Sequence, residues 1–358
     1  MKNDTIRKVE IFKAPFELRE PFVISLGSFS VAENIIVRIS TSEGITGFGE
    51  CSPFRSISGE SADTGLIVGS YIGRRLIGKN PGDIEGCTSI MDETIYGNNS
   101  IKSAFDIALH DIASRSLGLP LYAFLGGKNN RQIITDYTVS IGDPGAMADE
   151  AGKIVNNGFT IIKVKLGKNG KTDIDRVKSI RKKIGNEIPL RLDANQGWSF
   201  DEATEVLEEV GACNVQFCEE PLPRWDFMSL PGLTIKSPVP IMADESCSDH
   251  HDAERLINIK ASHMFNVKLG KSAGLFKAMK ICNLAADAGM NVQIGGFLES
   301  RLGFSASAHL ALASLNARYF DFDTPLMLRD DIIDGGIKYN PGGIITLDDT
   351  PGLVLRQT

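Results

Sequence analysis

Five short apolar runs decide the fold of this 358-residue chain: IIKVK (161–165), IPLRLD (188–193), VQFCE (215–219), PIMAD (240–244) and MFNVK (264–268). They end on Lys165, Asp193, Glu219, Asp244 and Lys268, so every run closes with an ionisable side chain. The steps between those residues are 28, 26, 25 and 24, the length of one strand, one helix and two short loops. Such spacing puts all five at the carboxyl ends of successive strands, where parallel α/β folds carry their chemistry.

Three further runs, TDYTVSIG (135–142), NVQIGG (291–296) and YFDFD (319–323), extend the set to eight strands. Helix signals lie between them. Ser199 and Glu202 form a capping box before an amphipathic segment, and Gly185, Gly211 and Gly289 stand where helices should stop. Eight strands alternating with helices over residues 126–325 predict a (β/α)8-type barrel. A doubly wound sheet needs fewer strands and ranks second.

The chain before the barrel has a different grammar. Residues 5–52 alternate like strands, with IVRISTSEGITGFGE turning at Ser42-Glu43-Gly44 as a hairpin. PFVISLGSFSVAE reads as a Gly- and Ser-containing connection between two strand regions. From about residue 60 the pattern is helical, most clearly in SIKSAFDIALHDIASRSLG, which stops at Gly118 before Pro120. Residues 1–125 are therefore expected to form an α+β domain. The turn-rich tail, 326–358, cannot extend a closed barrel and is expected to pack back on that domain.

Bulk properties narrow the function. A net charge of −7 argues against a nucleic-acid or anionic-membrane surface. No run of about 18 apolar residues suggests a membrane span, and the start lacks the apolar stretch of a signal peptide. Six scattered cysteines show no metal-binding spacing and read as free thiols of a cytoplasmic protein.

Asp193, Glu219 and Asp244 offer hard oxygen donors with no His or Cys near them in sequence. That set suits one Mg²⁺, with Mn²⁺ able to substitute, and disfavours zinc. Because side chains alternate along a strand, only one of Glu219 and Glu220 can face inward; Glu219 fits the ladder better. Lys165 and Lys268 bracket the carboxylates and should face each other across the barrel mouth. A lysine is a base only if its pKa falls far below its ordinary value near 10.4. Lys163, on the same face as Lys165, and the metal would supply the charge that lowers it.

The set Lys163-x-Lys165, LDAN (192–195), Glu219-x-Pro221, ADES (243–246) and Lys268 resembles the muconate-lactonizing subgroup of the enolase superfamily. The resemblance spans the chain and implies an α+β capping domain on a modified (β/α)7β barrel. Enolase-type sites use a lysine or histidine base with Mg²⁺ stabilising an enediolate. The resemblance thus implies two-base proton transfer: one lysine takes the α-proton, Lys163 and the metal hold the enediolate, and the other lysine returns a proton on the opposite face. The subgroup with a histidine base is excluded, because the seventh strand ends in Ile294-Gly295-Gly296.

Within that family, Asp321-x-Asp323 on the eighth strand looks like the ammonium clamp of the dipeptide epimerases, the L-Ala-D/L-Glu epimerase type. Two acids at one rim would pair with a cation and repel an acyl group. N-acylamino acid racemase and o-succinylbenzoate synthase activities use the same lysines and remain the alternatives. The connection from Ile24 to Ser30 carries no basic residue, which favours dipeptides with neutral or apolar side chains. Ile24, Phe22, Phe29, Phe297 and Leu298 are candidate walls. Arg55, in CSPFRSISGE, is either a partner for a substrate carboxylate or a solvated loop arginine. A homo-oligomer is expected.

Overall fold

The structure is a computed structural model that describes residues 4–331, 333–353 and 355–356. Its N-terminal part is a three-stranded antiparallel sheet, β1 (Ile6–Ile24), β2 (Gly27–Thr41) and β3 (Thr46–Cys51), followed by α1 (Ala62–Leu76), α2 (Ile84–Thr94), α3 (Asn99–Ser116) and the short α4 (Leu121–Phe124). The hairpin at Ser42–Gly44 is present, with Ser40 opposite Thr46. The stretch around Ile24 differs from the expected loose connection. β1 and β2 pair through it, Phe22 opposite Phe29 and Ile24 opposite Gly27. Aromatic and β-branched residues carry the ladder to its tip, and Gly27 takes the turn at a φ of 153°.

Helix α3 is buried on nearly every side, so its charged residues need partners. Lys102 donates to Asp92 (3.1 Å) and to the Ile95 carbonyl (2.7 Å). Asp111 accepts from Arg115 (2.8 Å) and from the backbone N–H of Phe48 (3.2 Å). The helix lies so close to β3 that a Cβ at Gly49 would come within 1.9 Å of the Ala104 carbonyl oxygen. The glycines of Gly47-Phe48-Gly49 are therefore required by the approach of a helix, not by a turn.

After the two-residue β4 (Ile133–Ile134) comes the barrel: β5 (Tyr137–Val139), β6 (Ile162–Lys165), β7 (Leu190–Asp193), β8 (Val215–Glu219), β9 (Ile241–Ala243), β10 (Met264–Lys268), β11 (Asn291–Gly295) and β12 (Ala317–Phe320). Neighbours in sequence are neighbours in the parallel sheet. The Asp136 N–H reaches the Phe320 carbonyl at 3.4 Å, and the Phe322 N–H reaches Thr135 Oγ1 at 2.8 Å, bringing the last strand against the chain entering the first.

Seven helices alternate with the eight strands: α5 (Pro144–Asn156), α6 (Gly170–Ile184), α7 (Phe200–Val210), α8 (Leu230–Lys236), α9 (His250–Asn258), α10 (Leu275–Asp287) and α11 (Arg301–Ala313). The architecture is a (β/α)7β barrel with an α+β capping domain. The Ser199–Glu202 capping box opens α7 as expected. A four-residue α12 (Thr324–Met327) follows the last strand, and the tail adds β13 (Asp334–Gly335), β14 (Lys338–Asn340), β15 (Ile344–Thr346) and β16 (Leu355–Arg356).

The tail touches both parts. Arg329 N–H donates to the Glu17 carbonyl (2.8 Å) and Leu353 N–H to Asp111 (2.9 Å) on the capping side. On the barrel side β15 pairs with β4. All six cysteines are buried and unpaired. Among the described residues no helix is long and apolar enough to cross a membrane.

The close approach of α3 to β3 makes a direct prediction. Gly49→Ala should destabilise the protein by about 3 kcal/mol through overpacking, read as a lowered denaturant midpoint. An unchanged midpoint would mean that helix and sheet are not in this contact.

Candidate active site

Strand register sets the geometry of the strand ends. Lys165 pairs with Asp193, and Asp193 pairs with Glu219, so the three stand at one level of the barrel. Lys163 lies two residues below Lys165 and points to the same side. All of these side chains, with Asp244 and Lys268, are buried.

Buried charges persist only when paired, and here cations and anions interleave. Lys165 Nζ donates to Asp193 Oδ2 at 2.6 Å. Lys163 Nζ touches Asp193 Oδ2 at 3.1 Å, Glu219 Oε2 at 2.9 Å and Asp321 Oδ2 at 2.6 Å. Lys268 Nζ lies 2.6 Å from Asp244 Oδ2 and 3.7 Å from Glu219 Oε1. Lys271 pairs with the other Asp244 oxygen.

Glu219 faces this lattice, receiving Asn266 Nδ2 at 2.8 Å and Gln293 Nε2 at 3.2 Å. Glu220 turns away, at a φ of 37°, and accepts from the Asp244 N–H at 2.7 Å and from Ser246. Burial raises the Glu220 pKa to about 7.

Lys268 does not show the depressed pKa expected of a base. Burial alone would lower Lys268, yet the Asp244 and Glu219 carboxylates outweigh it and hold the ammonium above its ordinary range. Lys163 is raised in the same way against burial, by Asp321, Glu219 and Asp193. Burial opposes the charge on Asp244, but Lys268 and Lys271 hold its pKa well below the carboxylate range. The acids that offer metal ligands are holding ammonium groups.

A cavity opens above this lattice. Lys165 and Lys268 line it, along with Asp321, Asp323, Thr138 and Asn195. Each lysine has an aromatic neighbour: Lys165 Nζ sits 5.6 Å from the Phe22 ring centre, Lys268 Nζ 5.3 Å from that of Phe297. Ile24 and Leu298 complete the expected walls. Phe29 stands behind, tilted against Phe54 with ring centres 4.7 Å apart.

Arg55 is not part of the cavity. It is exposed and paired with Glu33 at 2.7 Å. Its neighbours Phe54 and Ile57 enter the cavity instead, because the apolar residues of that loop gain burial and the arginine keeps its solvent. Their apolar character was the available signal.

At the eighth strand a third acid joins the pair. Asp136, Asp321 and Asp323 bring carboxylate oxygens within 4.8 Å of one another. Arg191 Nη1 holds Asp136 Oδ2 at 2.8 Å, and Thr138 N–H holds Asp323 Oδ2 at 2.6 Å. Burial, reinforced by Asp321, raises the Asp323 pKa to about 7. A cation seated there would draw it back toward the ionised form. Three acids face two cations, Lys163 and Arg191, and burial with Asp321 also raises the Asp136 carboxyl well above its usual range, so the crowding here favours a bound proton or a further cation.

Asp136, Arg191 and Lys271 were missed in the sequence. Arg191 stands two residues before Asp193, as Lys163 does before Lys165. The same two-residue step therefore pointed to it.

Two places could take a cation. Both already have partners: Asp136, Asp321 and Asp323 a guanidinium, an ammonium and a backbone N–H, and Asp193, Glu219 and Asp244 the ammonium groups of Lys163, Lys165, Lys268 and Lys271. In the Asp193–Glu219–Asp244 set, neither Asp244 oxygen has a well-angled hydrogen bond, and the donors are three buried carboxylates from adjacent strand ends. Hard oxygen donors at that place fit Mg²⁺.

Residues 6–126 match the family model described as mandelate racemase/muconate lactonizing enzyme, N-terminal domain, and residues 146–356 that described as enolase C-terminal domain-like. The chain belongs to the enolase superfamily. A D-Ala-D/L-Ala epimerase from Cytophaga hutchinsonii is 53% identical over 97% of this chain and 95% of its own. A crystal structure of the dipeptide epimerase from that organism, complexed with Mg and D-Ala-L-Val, superposes with a TM-score of 0.98 at 52% identity, covering 99% of this chain and 96% of that one.

A hydrophobic dipeptide epimerase from Enterococcus faecalis is 36% identical over 97% of this chain and 98% of its own. An N-succinyl-L-Arg/Lys racemase from Bacillus cereus is 34% identical over 97% and 94% respectively.

The Arg191–Asp136 pair can be tested by itself. Arg191→Met strands a buried carboxylate and should cost about 3–5 kcal/mol. Adding Asp136→Asn should recover part of that loss in a denaturation series. Strictly additive effects would contradict the pairing.

Proposed function

We propose that this chain is a Mg²⁺-dependent dipeptide epimerase that inverts one Cα by proton transfer between two lysines. The observation that carries the reading is the placement of Lys165 and Lys268 in one cavity with Asp321 and Asp323. The Mg-bound epimerase at 52% identity supports it.

Asp193, Glu219 and Asp244 are the residues that would hold Mg²⁺. When bound, the ion supplies positive charge beside the substrate carboxylate and acidifies the neighbouring C–H. Lys165 or Lys268 then takes the α-proton, and Lys163 stabilises the developing enediolate. The opposite lysine returns a proton to the other face. Phe22 and Phe297 stand beside the two lysine nitrogens and form part of the cavity wall.

Asp321 and Asp323 are placed to receive the dipeptide ammonium group, since both line the cavity that holds Lys165 and Lys268. The same corner disfavours an N-acyl substrate, the class of the racemase from Bacillus cereus. The cavity walls Ile24, Phe54, Ile57, Phe297 and Leu298 are apolar and suit neutral or apolar side chains. The reading includes cytoplasmic residence, supported by six buried unpaired cysteines, and a homo-oligomer, supported by exposed apolar side chains such as Trp225 and Ile235.

Incubating L,L-dipeptides with the Mg²⁺-loaded protein in D₂O should give inversion with deuterium at one Cα, followed by NMR. No exchange across a broad library would sink the reading. Lys165→Ala and Lys268→Ala should each lower epimerisation by at least about 10³-fold, while exchange on one face persists. Normal epimerisation by both variants would remove the two-base mechanism.

Asp323→Asn is the cleaner test of the clamp, because Asp321 also holds Lys163. It should lower kcat/KM for dipeptides by roughly 100-fold and spare an N-acyl amino acid. Equal losses on both substrates would leave the ammonium subsite without support.

A further inference from the structure

We propose that Glu50, a residue of the capping domain, positions the Phe297–Leu298 wall and with it the Lys268 side of the cavity; this rests on the epimerase reading above. Glu50 is buried at the end of β3, and its carboxylate reaches across to the barrel. Oε1 accepts from the Ser300 N–H at 3.0 Å and from Asn34 Nδ2 at 2.7 Å. Oε2 accepts from Ser300 Oγ at 2.7 Å and from the Gly303 N–H at 2.9 Å.

These are the free donors of the first turn of α11, and a carboxylate there also opposes the helix dipole. Asn34 Nδ2 donates in addition to the Leu298 carbonyl at 2.8 Å. The junction that carries Phe297 and Leu298 into the cavity is thus fixed from outside the barrel.

The preceding helix is held in the same way, by a different residue. Asp106 of α3 accepts from the Leu275 N–H at 2.5 Å and the Phe276 N–H at 3.3 Å. These open α10, the helix that follows the strand ending in Lys268. The approach needs Gly274, which has a φ of 103° and where a Cβ would lie 2.3 Å from Asp106 Oδ2.

The Lys165 half is built otherwise. Helices α6 and α7, which follow the strands of Lys165 and Asp193, are capped by their own Asn169 and Ser199. There the capping domain is tied by Ser25 Oγ to the Asn195 carbonyl at 2.8 Å and by the Val23 carbonyl to the Ile141 N–H at 3.0 Å. Buried carboxylates from the capping domain thus hold α10 and add to the cap that α11 has in its own Ser300, which accepts from the Leu302 N–H at 3.1 Å, while α6 and α7 are capped by their own residues. Loss of Glu50 therefore shifts the Lys268 face more than the Lys165 face.

The test uses the full-length Mg²⁺-loaded enzyme in D₂O, with deuterium uptake started from each epimer in turn. Lys165→Ala and Lys268→Ala identify which epimer gives its proton to which lysine. Glu50→Ala should slow the Lys268-face exchange at least about tenfold more than the Lys165-face exchange. Glu50→Gln, which keeps one acceptor oxygen for Ser300 and Asn34, should restore most of the ratio. If Glu50→Ala does not fold, Asn34→Ala should shift the ratio in the same direction, several-fold.

Equal slowing on both faces overturns the proposal, and so does a loss of thermal stability with the ratio unchanged. A wild-type enzyme without exchange on any dipeptide overturns the epimerase reading instead.

Discussion

Carboxylates and ammonium groups alternate across the end of the barrel, and the rest of the molecule is arranged around keeping them there. Asp193, Glu219 and Asp244 are fully buried, as are Lys163, Lys165 and Lys268 to within a few per cent. Taking such ions out of water costs several kcal/mol each, and their mutual attraction offsets that only with close geometry. The eight strands supply that geometry, because register fixes Lys165, Asp193 and Glu219 side by side. A loop could not hold six charges this tightly. The lattice is therefore weak evidence for stability, and its position at the strand ends is what marks it as a site.

That view accounts for the raised pKa of Lys268. Asp244 and Glu219 lie against its ammonium and outweigh the burial that would lower it. A divalent ion bound by those carboxylates would compete with the lysine for them.

Much of this was legible in the sequence because the charged residues end apolar runs at nearly even steps, from Lys165 to Lys268. Strand ends on a barrel are forced to one face, so a linear ladder becomes a ring. Side-chain alternation allowed only one of Glu219 and Glu220 to face inward, and the even step along the ladder chose Glu219. What escaped lies where contacts are long-range. Asp136 and Asp323 meet only because the barrel closes, and Lys271 reaches Asp244 from a loop whose path no periodicity predicts. Arg55 drew attention by its charge, whereas burial selected Phe54 and Ile57 beside it. The tip of the β1–β2 hairpin read as a loop because Gly and Ser masked a strand pair that aromatic residues sustain.

The account depends on where a divalent ion binds, and calorimetric titration of Mg²⁺ measures that most directly. It predicts one ion per chain, with binding lost in Asp244→Asn and retained in Asp323→Asn. Absence of binding, or binding that survives Asp244→Asn and is lost in Asp323→Asn, would contradict it.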